Sequence, residues 1–305
     1  MRVVTSGAAY LDIDAYACCI AYAELLNRQG IEAQAVSSAP TNFSVPASVL
    51  GWGSRLDGYV PAGGDEFVLV DVSDPRHVDS VVVLERVTEV IDHHPGFERY
   101  WAERLGNGAD IRRIGAAATQ VFQRWEQASL LPCMSRGSAS LLATAIVDNT
   151  LNFTSLNVTE ADRHAYRSLA EQASLPDNWP QLYLQGCQDS IEAGLVDALQ
   201  GDVKRFDTAA LPRVFAQLTV WDARKLVDCH RPALLGWLHS QGEDAVVNVI
   251  GISDGTSIFV AISEASRGKL SRLAGLQWKG DLASVTPSLL RKDVLGLSIP
   301  TAQAR

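Results

Sequence analysis

The residues best suited to chemistry lie in the segment Val90-Ile91-Asp92-His93-His94-Pro95. An apolar run, Val87 to Ile91, leads into an acid and two imidazoles, and Pro95-Gly96 then breaks the backbone. This pattern predicts a buried strand with functional side chains at its carboxyl end, where open α/β sheets bind ligands. Carboxylate and imidazole groups are suitable ligands for Mn²⁺, Mg²⁺ or Zn²⁺. A loop with an N-capping aspartate would explain the same residues, so the metal hypothesis depends on the rest of the chain.

Aspartates in three further segments also stand next to apolar elements. Asp12 and Asp14 begin a predicted helix after a glycine turn, Asp71 ends the run Phe67–Val70, and Asp148 ends an apolar helix. Any one of them has an ordinary structural explanation, such as helix N-capping by Asp12 or Asp14. Together with Asp92-His93-His94, however, they can hold two divalent cations roughly 3.5–4 Å apart, which activate water and clamp phosphoryl oxygens.

The elements that must position these side chains alternate between strand and helix. A strand over Arg2–Ser6, a helix over Ile13–Asn27 and a strand over Ile31–Val36 predict a parallel sheet. A short helix is also predicted over Val78–Leu84. Residues 175–180 are typical of a linker, and a mixed α/β pattern follows them. The sequence therefore predicts an N-terminal parallel-sheet domain over residues 1–180 and a smaller mixed α/β domain over residues 190–305.

Composition limits the classes of partner. The net charge of −9 over 305 residues disfavours a protein that coats nucleic acid. Five cysteines without C-x-x-C spacing are typical of reduced thiols in the cytoplasm. No secretory start is visible, and no apolar run reaches the ~18 residues of a membrane span. We therefore expect a cytoplasmic protein with a small-molecule substrate and no membrane partner.

The order and spacing of the four acidic motifs resemble the DHH phosphoesterase superfamily over roughly residues 1–165. The motifs are Leu11-Asp12-Ile13-Asp14, Val70-Asp71-Val72-Ser73, Asp92-His93-His94 and Val147-Asp148-Asn149-Thr150. The resemblance implies two bound divalent cations, Mn²⁺ first and Mg²⁺ or Co²⁺ as alternatives. It also implies metal ligation by Asp12, Asp14, Asp71, His93 and Asp148, and catalytic roles for Asp92 and His94.

The second domain indicates the branch of that superfamily. The chain lacks the G-G-G-H motif of the phosphodiesterase and exonuclease branch. Its segments Gly201-Asp202-Val203-Lys204-Arg205-Phe206 and Ser288-Leu289-Leu290-Arg291-Lys292 resemble the DHHA2-type branch of family II inorganic pyrophosphatases and eukaryotic-type exopolyphosphatases. This implies phosphate binding by Lys204, Arg291 and Lys292, hydrolysis of pyrophosphate or short polyphosphate, and compatibility with a homodimer. A small-nucleotide phosphodiesterase and a non-catalytic binder of phosphate ligands remain alternatives.

The first motif departs from the pyrophosphatase pattern at one position. Ala8 stands where those enzymes have a histidine ligand. One of the two metal sites is therefore expected to hold its cation less tightly, or to hold water in place of the imidazole.

Overall fold

The computed structural model describes residues 1–298, apart from the side chain of Lys292. The chain divides into two compact units, Met1–Pro180 and a second unit from Gln181 onward. Each unit has its own sheet.

Unit 1 is built on a parallel sheet, as the sequence predicts. Within the described residues five strands pair in the order β2-β1-β3-β4-β5, all parallel. They are β1 (Arg2–Thr5), β2 (Ala33–Ala35), β3 (Glu66–Val70), β4 (Val87–Asp92) and β5 (Ala109–Ile111). The central strands β1 and β3 are almost fully buried, which explains their continuous apolar sequence.

The helices of unit 1 start at side-chain caps where the sequence offers them. They are α1 (Ile13–Arg28), α2 (Ala47–Leu50), α3 (Glu98–Leu105), α4 (Ala117–Gln127), α5 (Arg136–Asn149) and α6 (Glu160–Ala173). Asp12 caps α1, Ser135 caps α5, and Thr159 forms a capping box with Asp162 at α6. Helix α1 packs against α4 and α5, and α5 packs against α6.

Unit 2 is mixed α/β, again as predicted. Its sheet runs in the order β10-β11-β9-β8-β7-β6 within the described residues, and only β7 and β8 pair in parallel. The strands are β6 (Val203–Arg205), β7 (Val214–Val220), β8 (Ala245–Gly251), β9 (Thr256–Val260), β10 (Trp278–Lys279) and β11 (Leu282–Val285). Helix α7 (Trp179–Ala193) begins two residues before the boundary between the units. The other helices of unit 2 are α8 (Leu195–Gly201), α9 (Ala223–Gln241), α10 (Glu264–Ala274) and α11 (Arg291–Ser298).

The helix predicted over Val78–Leu84 is wrong. Val78 forms an antiparallel bridge to Gly7, and the buried Asp79 carboxylate accepts hydrogen bonds from Ser38 and from the amide of Val81. These contacts hold the segment as a loop, because the side chain of Asp79 satisfies donors that a helix would use internally. No helix within residues 1–298 is both long and apolar enough to cross a bilayer.

Candidate metal centre

The acids and imidazoles meet where β3 and β4 end. These two strands are neighbours with Val70 beside Ile91, so their carboxyl ends lie at the same edge of the sheet. Asp71, His93 and His94 each present a ligand atom there, and the three atoms lie within 4.8 Å of one another. Asp71 Oδ1 is 3.3 Å from His93 Nε2 and 3.8 Å from His94 Nδ1.

The ring of His93 is oriented by a backbone carbonyl. Its Nδ1 lies 3.1 Å from the oxygen of Ile114. Since a carbonyl oxygen only accepts, Nδ1 carries the hydrogen and Nε2 keeps its lone pair, which is the tautomer that metal-binding histidines use. The side chain is 7% exposed, and Nε2 is buried without a hydrogen-bond partner among the described residues.

The orientation of the Asp71 side chain follows from an uncommon backbone conformation. Its φ of +56° lies in the left-handed region, while its amide donates to the carbonyl of Ile91 at 2.8 Å. Burial raises the pKa of Asp71 well above its ordinary value, and the negative charge of Asp12 raises it further. Its buried Oδ1 makes no hydrogen bond among the described residues, which is unfavourable, so Asp71 is suited to a cation that would neutralise it.

Asp92 organises the turn that carries both histidines. Its Oδ1 accepts from the amides of His93 and His94, at 2.8 and 3.2 Å, and also lies 2.8 Å from His94 Nδ1. Burial alone would raise the pKa of Asp92, but its hydrogen bond with His94 and the charge of His94 outweigh that effect and lower it. Desolvation of the ring by the surrounding protein lowers the pKa of His94. The hydrogen bond to Asp92 and the negative charge of Asp71 outweigh this effect, so the pKa of His94 is raised overall.

Asp14 and Asp12 complete the acidic side of the centre. Asp14 is fully buried, and its Oδ2 lies 3.9 Å from His93 Nε2. Burial raises the pKa of Asp14 well above its ordinary value, and the charge of Asp71 adds to the shift. Asp12 caps α1 by accepting from the amide of Ala15 at 2.9 Å, and its negative charge lies close enough to Asp71 to raise the pKa of Asp71. The capping and metal-binding interpretations of Asp12 are therefore compatible.

Asp148 and Ala8 are the two remaining positions that the sequence relates to the metal centre. Asp148 is half-buried in the last turn of α5 and is not one of the three residues whose ligand atoms converge. Its ligand role stays a prediction. Ala8 is exposed on the loop after β1, where its amide donates to the carbonyl of His77 at 2.8 Å.

The predicted phosphate-binding residues lie in unit 2. Arg291 is buried, and its guanidinium donates to Asp202 Oδ1 at 2.6 Å and to the carbonyls of Asp202 and Phe215 at 2.7 and 3.1 Å. Lys204 is exposed on β6, and burial of part of its side chain together with the charge of Arg291 lowers its pKa. Lys292 lies in α11, and its side chain is outside the described residues.

Unpartnered buried atoms test whether the cluster fits a metal ion. Among the described residues Asp71 Oδ1, Asp92 Oδ2 and His93 Nε2 are buried and make no hydrogen bond. Each of these atoms offers a lone pair, and a buried polar atom without a partner is costly. A divalent cation accepts such lone pairs, so the residues fit the group that the resemblance implies.

The sequence did not predict the backbone groups that form hydrogen bonds with the proposed ligands His93 and Asp14. They are the carbonyl of Ile114 and the amides of Ala117 and Ala118, which donate to Asp14 at 2.9 and 2.8 Å. Backbone groups carry no residue-type signature. The one available signal was Gly115, in front of a run of alanines.

Comparison with known proteins relates this geometry to a family. No family model matches the chain. The chain is 27% identical over 215 residues to a Shouchella clausii protein named "Probable manganese-dependent inorganic pyrophosphatase", covering 69% of this chain and 68% of that protein. A Bacillus cereus protein of the same name is 24% identical over 266 residues, or 86% and 81% of the two chains.

Solved structures have the same fold. A Methanococcus jannaschii protein assigned as a family II inorganic pyrophosphatase superposes with a TM-score of 0.69 at 20% identity, covering 98% of both chains. Together these comparisons support the resemblance of the chain to the DHH phosphoesterase superfamily. They also support the DHHA2-type branch of that superfamily. An exopolyphosphatase-related protein from Bacteroides fragilis has the same fold, with a TM-score of 0.50 at 12% identity over 97% and 89% of the chains.

Proposed function

We propose that this protein is a manganese-dependent phosphohydrolase that cleaves the phosphoanhydride bond of pyrophosphate or short polyphosphate. The observation that carries the proposal is the pair of buried, unpartnered lone-pair atoms Asp71 Oδ1 and His93 Nε2, which lie 3.3 Å apart at the ends of β3 and β4. The names of the relatives, which include both manganese and pyrophosphatase, support the choice of metal and substrate.

The proposed ligands come from four segments of unit 1. They are Asp12, Asp14, Asp71, His93 and Asp148, a carboxylate-rich set with one imidazole that suits two Mn²⁺ ions, with Mg²⁺ or Co²⁺ as substitutes. When bound, such a pair of metal ions supplies a water of low pKa and neutralises the phosphoryl oxygens.

Asp92 and His94 are the proposed catalytic pair. Asp92 holds His94 Nδ1 at 2.8 Å, which leaves Nε2 as the nitrogen that can reach a substrate. The raised pKa of His94 favours its protonated form, so Nε2 can donate a proton to the departing phosphate. The exposure of this side chain, 60%, suits a group that contacts substrate and not one buried among ligands.

In unit 2 we propose Lys204, Arg291 and Lys292 as the phosphate-binding residues, with different roles for the first two. Lys204 is exposed, which suits direct contact with a phosphate oxygen, and the negative charge of a bound phosphate would counter the effect of Arg291 that lowers the pKa of Lys204. Arg291 already donates to Asp202 and Phe215, so it contributes positive charge and holds the start of α11 in place.

Phosphate release from pyrophosphate, tripolyphosphate, long polyphosphate and cyclic dinucleotides tests the proposal. Each substrate is assayed with Mn²⁺, Mg²⁺ and Co²⁺ after removal of all metal. We expect the highest turnover with Mn²⁺ and pyrophosphate or tripolyphosphate. Turnover confined to cyclic dinucleotides would contradict the phosphoanhydride specificity, and metal binding without turnover of any substrate would indicate a binding protein.

The phosphodiesterase alternative has no specific observation in its favour. A cavity of about 530 Å³ in unit 1 is lined by one aromatic residue among those described, Tyr16. Tyr16 is 5% exposed and its hydroxyl donates to the carbonyls of Leu50 and Ser54, so its ring offers little surface for stacking a base.

Location and assembly complete the proposal. The five cysteines are free thiols, which supports a reducing, cytoplasmic location. We further propose a homodimer as the assembly to test first. Sedimentation equilibrium distinguishes the 32.9 kDa monomer from a dimer.

A further inference from the structure

One short backbone segment contacts both the imidazole and the buried acid of the metal centre. We call Ile114–Ala118 the bracing segment. Its first carbonyl oxygen lies 3.1 Å from His93 Nδ1. Its last two amides, those of Ala117 and Ala118, donate to Asp14 Oδ2 and Oδ1 at 2.9 and 2.8 Å. The position of this segment therefore sets the orientation of two proposed ligands at once.

A buried carboxylate outside the metal centre holds the bracing segment on its other side. Asp162 is fully buried, accepts from the amide of Gly115 at 3.2 Å and accepts from Thr119 Oγ1 at 2.6 Å. The same carboxylate accepts from the amide of Thr159 at 2.7 Å as part of the capping box of α6. Asp162 thus links the start of α6 to the segment that supports the ligands.

Gly115 is required by the closeness of this contact. A Cβ atom at this position would lie 2.7 Å from Thr150 Cγ2 and 2.8 Å from Asp162 Cγ. Both neighbours are fully buried, so neither has open space into which to move. An added methyl group must displace the backbone of the bracing segment, and with it the hydrogen bonds to His93 and Asp14.

We infer that Ile114–Ala118, anchored by Asp162, is a positioning element for metal binding; this inference rests on the metal centre of the proposed function. The carbonyl oxygen fixes the tautomer of His93, and the amides at the start of α4 occupy one lone pair on each oxygen of Asp14. The remaining lone pairs then point in a fixed direction. Losing such outer contacts typically lowers metal affinity about 10- to 100-fold.

Gly115→Ala tests the inference. Metal-stripped parent and variant are titrated with MnCl₂ by calorimetry, and folding is checked by circular dichroism. We expect the variant to bind Mn²⁺ about 10- to 100-fold more weakly while staying folded. Gly63→Ala is the matched control, because a Cβ there meets no atom within 4 Å and its affinity should equal that of the parent.

A second pair of variants covers the case in which Gly115→Ala does not fold. Thr119→Val removes the hydroxyl that donates to Asp162 while keeping the shape of the side chain, and Thr119→Ser keeps the hydroxyl. We expect valine to weaken Mn²⁺ binding and serine to restore it. A merely structural role would lower the melting temperature of the stripped protein but leave the Mn²⁺ affinity of the folded protein unchanged.

The outcomes separate this inference from the proposed function. If the parent binds no Mn²⁺, the proposed function fails. If the parent binds Mn²⁺ and the folded Gly115→Ala and Thr119→Val variants bind it equally well, the positioning role is wrong and the proposed function stands.

Discussion

The metal centre of unit 1 and the basic residues of unit 2 differ in where their polar atoms find partners. At the metal centre Asp71, Asp92 and His93 each keep a buried atom without a hydrogen bond among the described residues. In unit 2 the buried Arg291 donates three hydrogen bonds to Asp202 and Phe215. Isolated unpartnered atoms occur elsewhere, but here they lie together at neighbouring strand ends. A cluster of unsatisfied atoms marks the place for a ligand, whereas a satisfied charge marks a structural contact.

The largest effect is expected from Asp71→Asn, which removes a charge but keeps the shape. Metal affinity should fall by more than the roughly 100-fold that outer contacts contribute, and phosphate release should fall with it. Calorimetry and the phosphate assay measure the two losses. The matched control is Asp74→Asn, because Asp74 is paired with Arg76 and has a pKa of about 2. Equal losses in both variants would contradict a specific role for Asp71.

The two histidines should separate binding from turnover. His93→Ala removes the buried Nε2 that faces Asp71, so the number of bound Mn²⁺ ions per chain should fall. His94→Ala removes an exposed ring, so turnover should fall on the order of 100-fold with metal content unchanged. Metal analysis of the purified variants checks the difference, and identical metal loss from both would show that their roles are shared.

In unit 2, substitutions of Lys204 and Arg291 should separate an effect on substrate binding from an effect on stability. Lys204→Met should raise the KM for pyrophosphate with little change in stability, because its ammonium group is exposed. Arg291→Met removes three hydrogen bonds that the buried guanidinium donates to Asp202 and Phe215, so the free energy of unfolding should fall by about 1–3 kcal/mol. Urea denaturation and steady-state kinetics distinguish the two. A stability loss in Lys204→Met equal to that in Arg291→Met would remove the distinction.

Metal removal should make stability depend on pH in a definite direction. Burial raises the pKa values of Asp14 and Asp71 in the folded chain above their ordinary value of about 4. Their contribution to stability is therefore fully present below about pH 4 and is lost as pH rises through the folded pKa values. A bound cation neutralises the same charges, so the difference in melting temperature between metal-loaded and stripped protein should grow from pH 4 to pH 7. A difference that shrinks over this range would contradict the assignment.

The smallest expected effect concerns the exposed loop after β1. Ala8→His adds an imidazole at the position where pyrophosphatases have one, so preference for Mn²⁺ over Mg²⁺ should increase several-fold. Competition calorimetry measures it, with Ala9→His as the neighbouring control. Unchanged selectivity in Ala8→His would mean that position 8 does not face the metal.

The sequence predicted most of the sheet that positions the site and part of its chemistry. Continuous apolar runs identified β3 and β4, and the acids after them were expected at one edge because parallel strands share their carboxyl ends. Hydrophobic periodicity failed at Val78–Leu84, where the side chain of Asp79 determines the conformation. The bracing segment was beyond prediction, because its contacts use backbone atoms and depend on the long-range approach of Asp162 to Gly115.

The left-handed backbone at Asp71 has a consequence for any attempt to stabilise the protein. A non-glycine residue in this conformation costs roughly 1 kcal/mol, which Asp71→Gly would recover. The same change would also remove from the stripped chain a buried carboxyl group whose Oδ1 makes no hydrogen bond among the described residues. A selection for thermal resistance without manganese would therefore favour glycine here and remove a proposed metal ligand. At this position the stability of the metal-free chain and its capacity to bind metal favour different residues. The same trade-off between stability and activity is found at other functional sites.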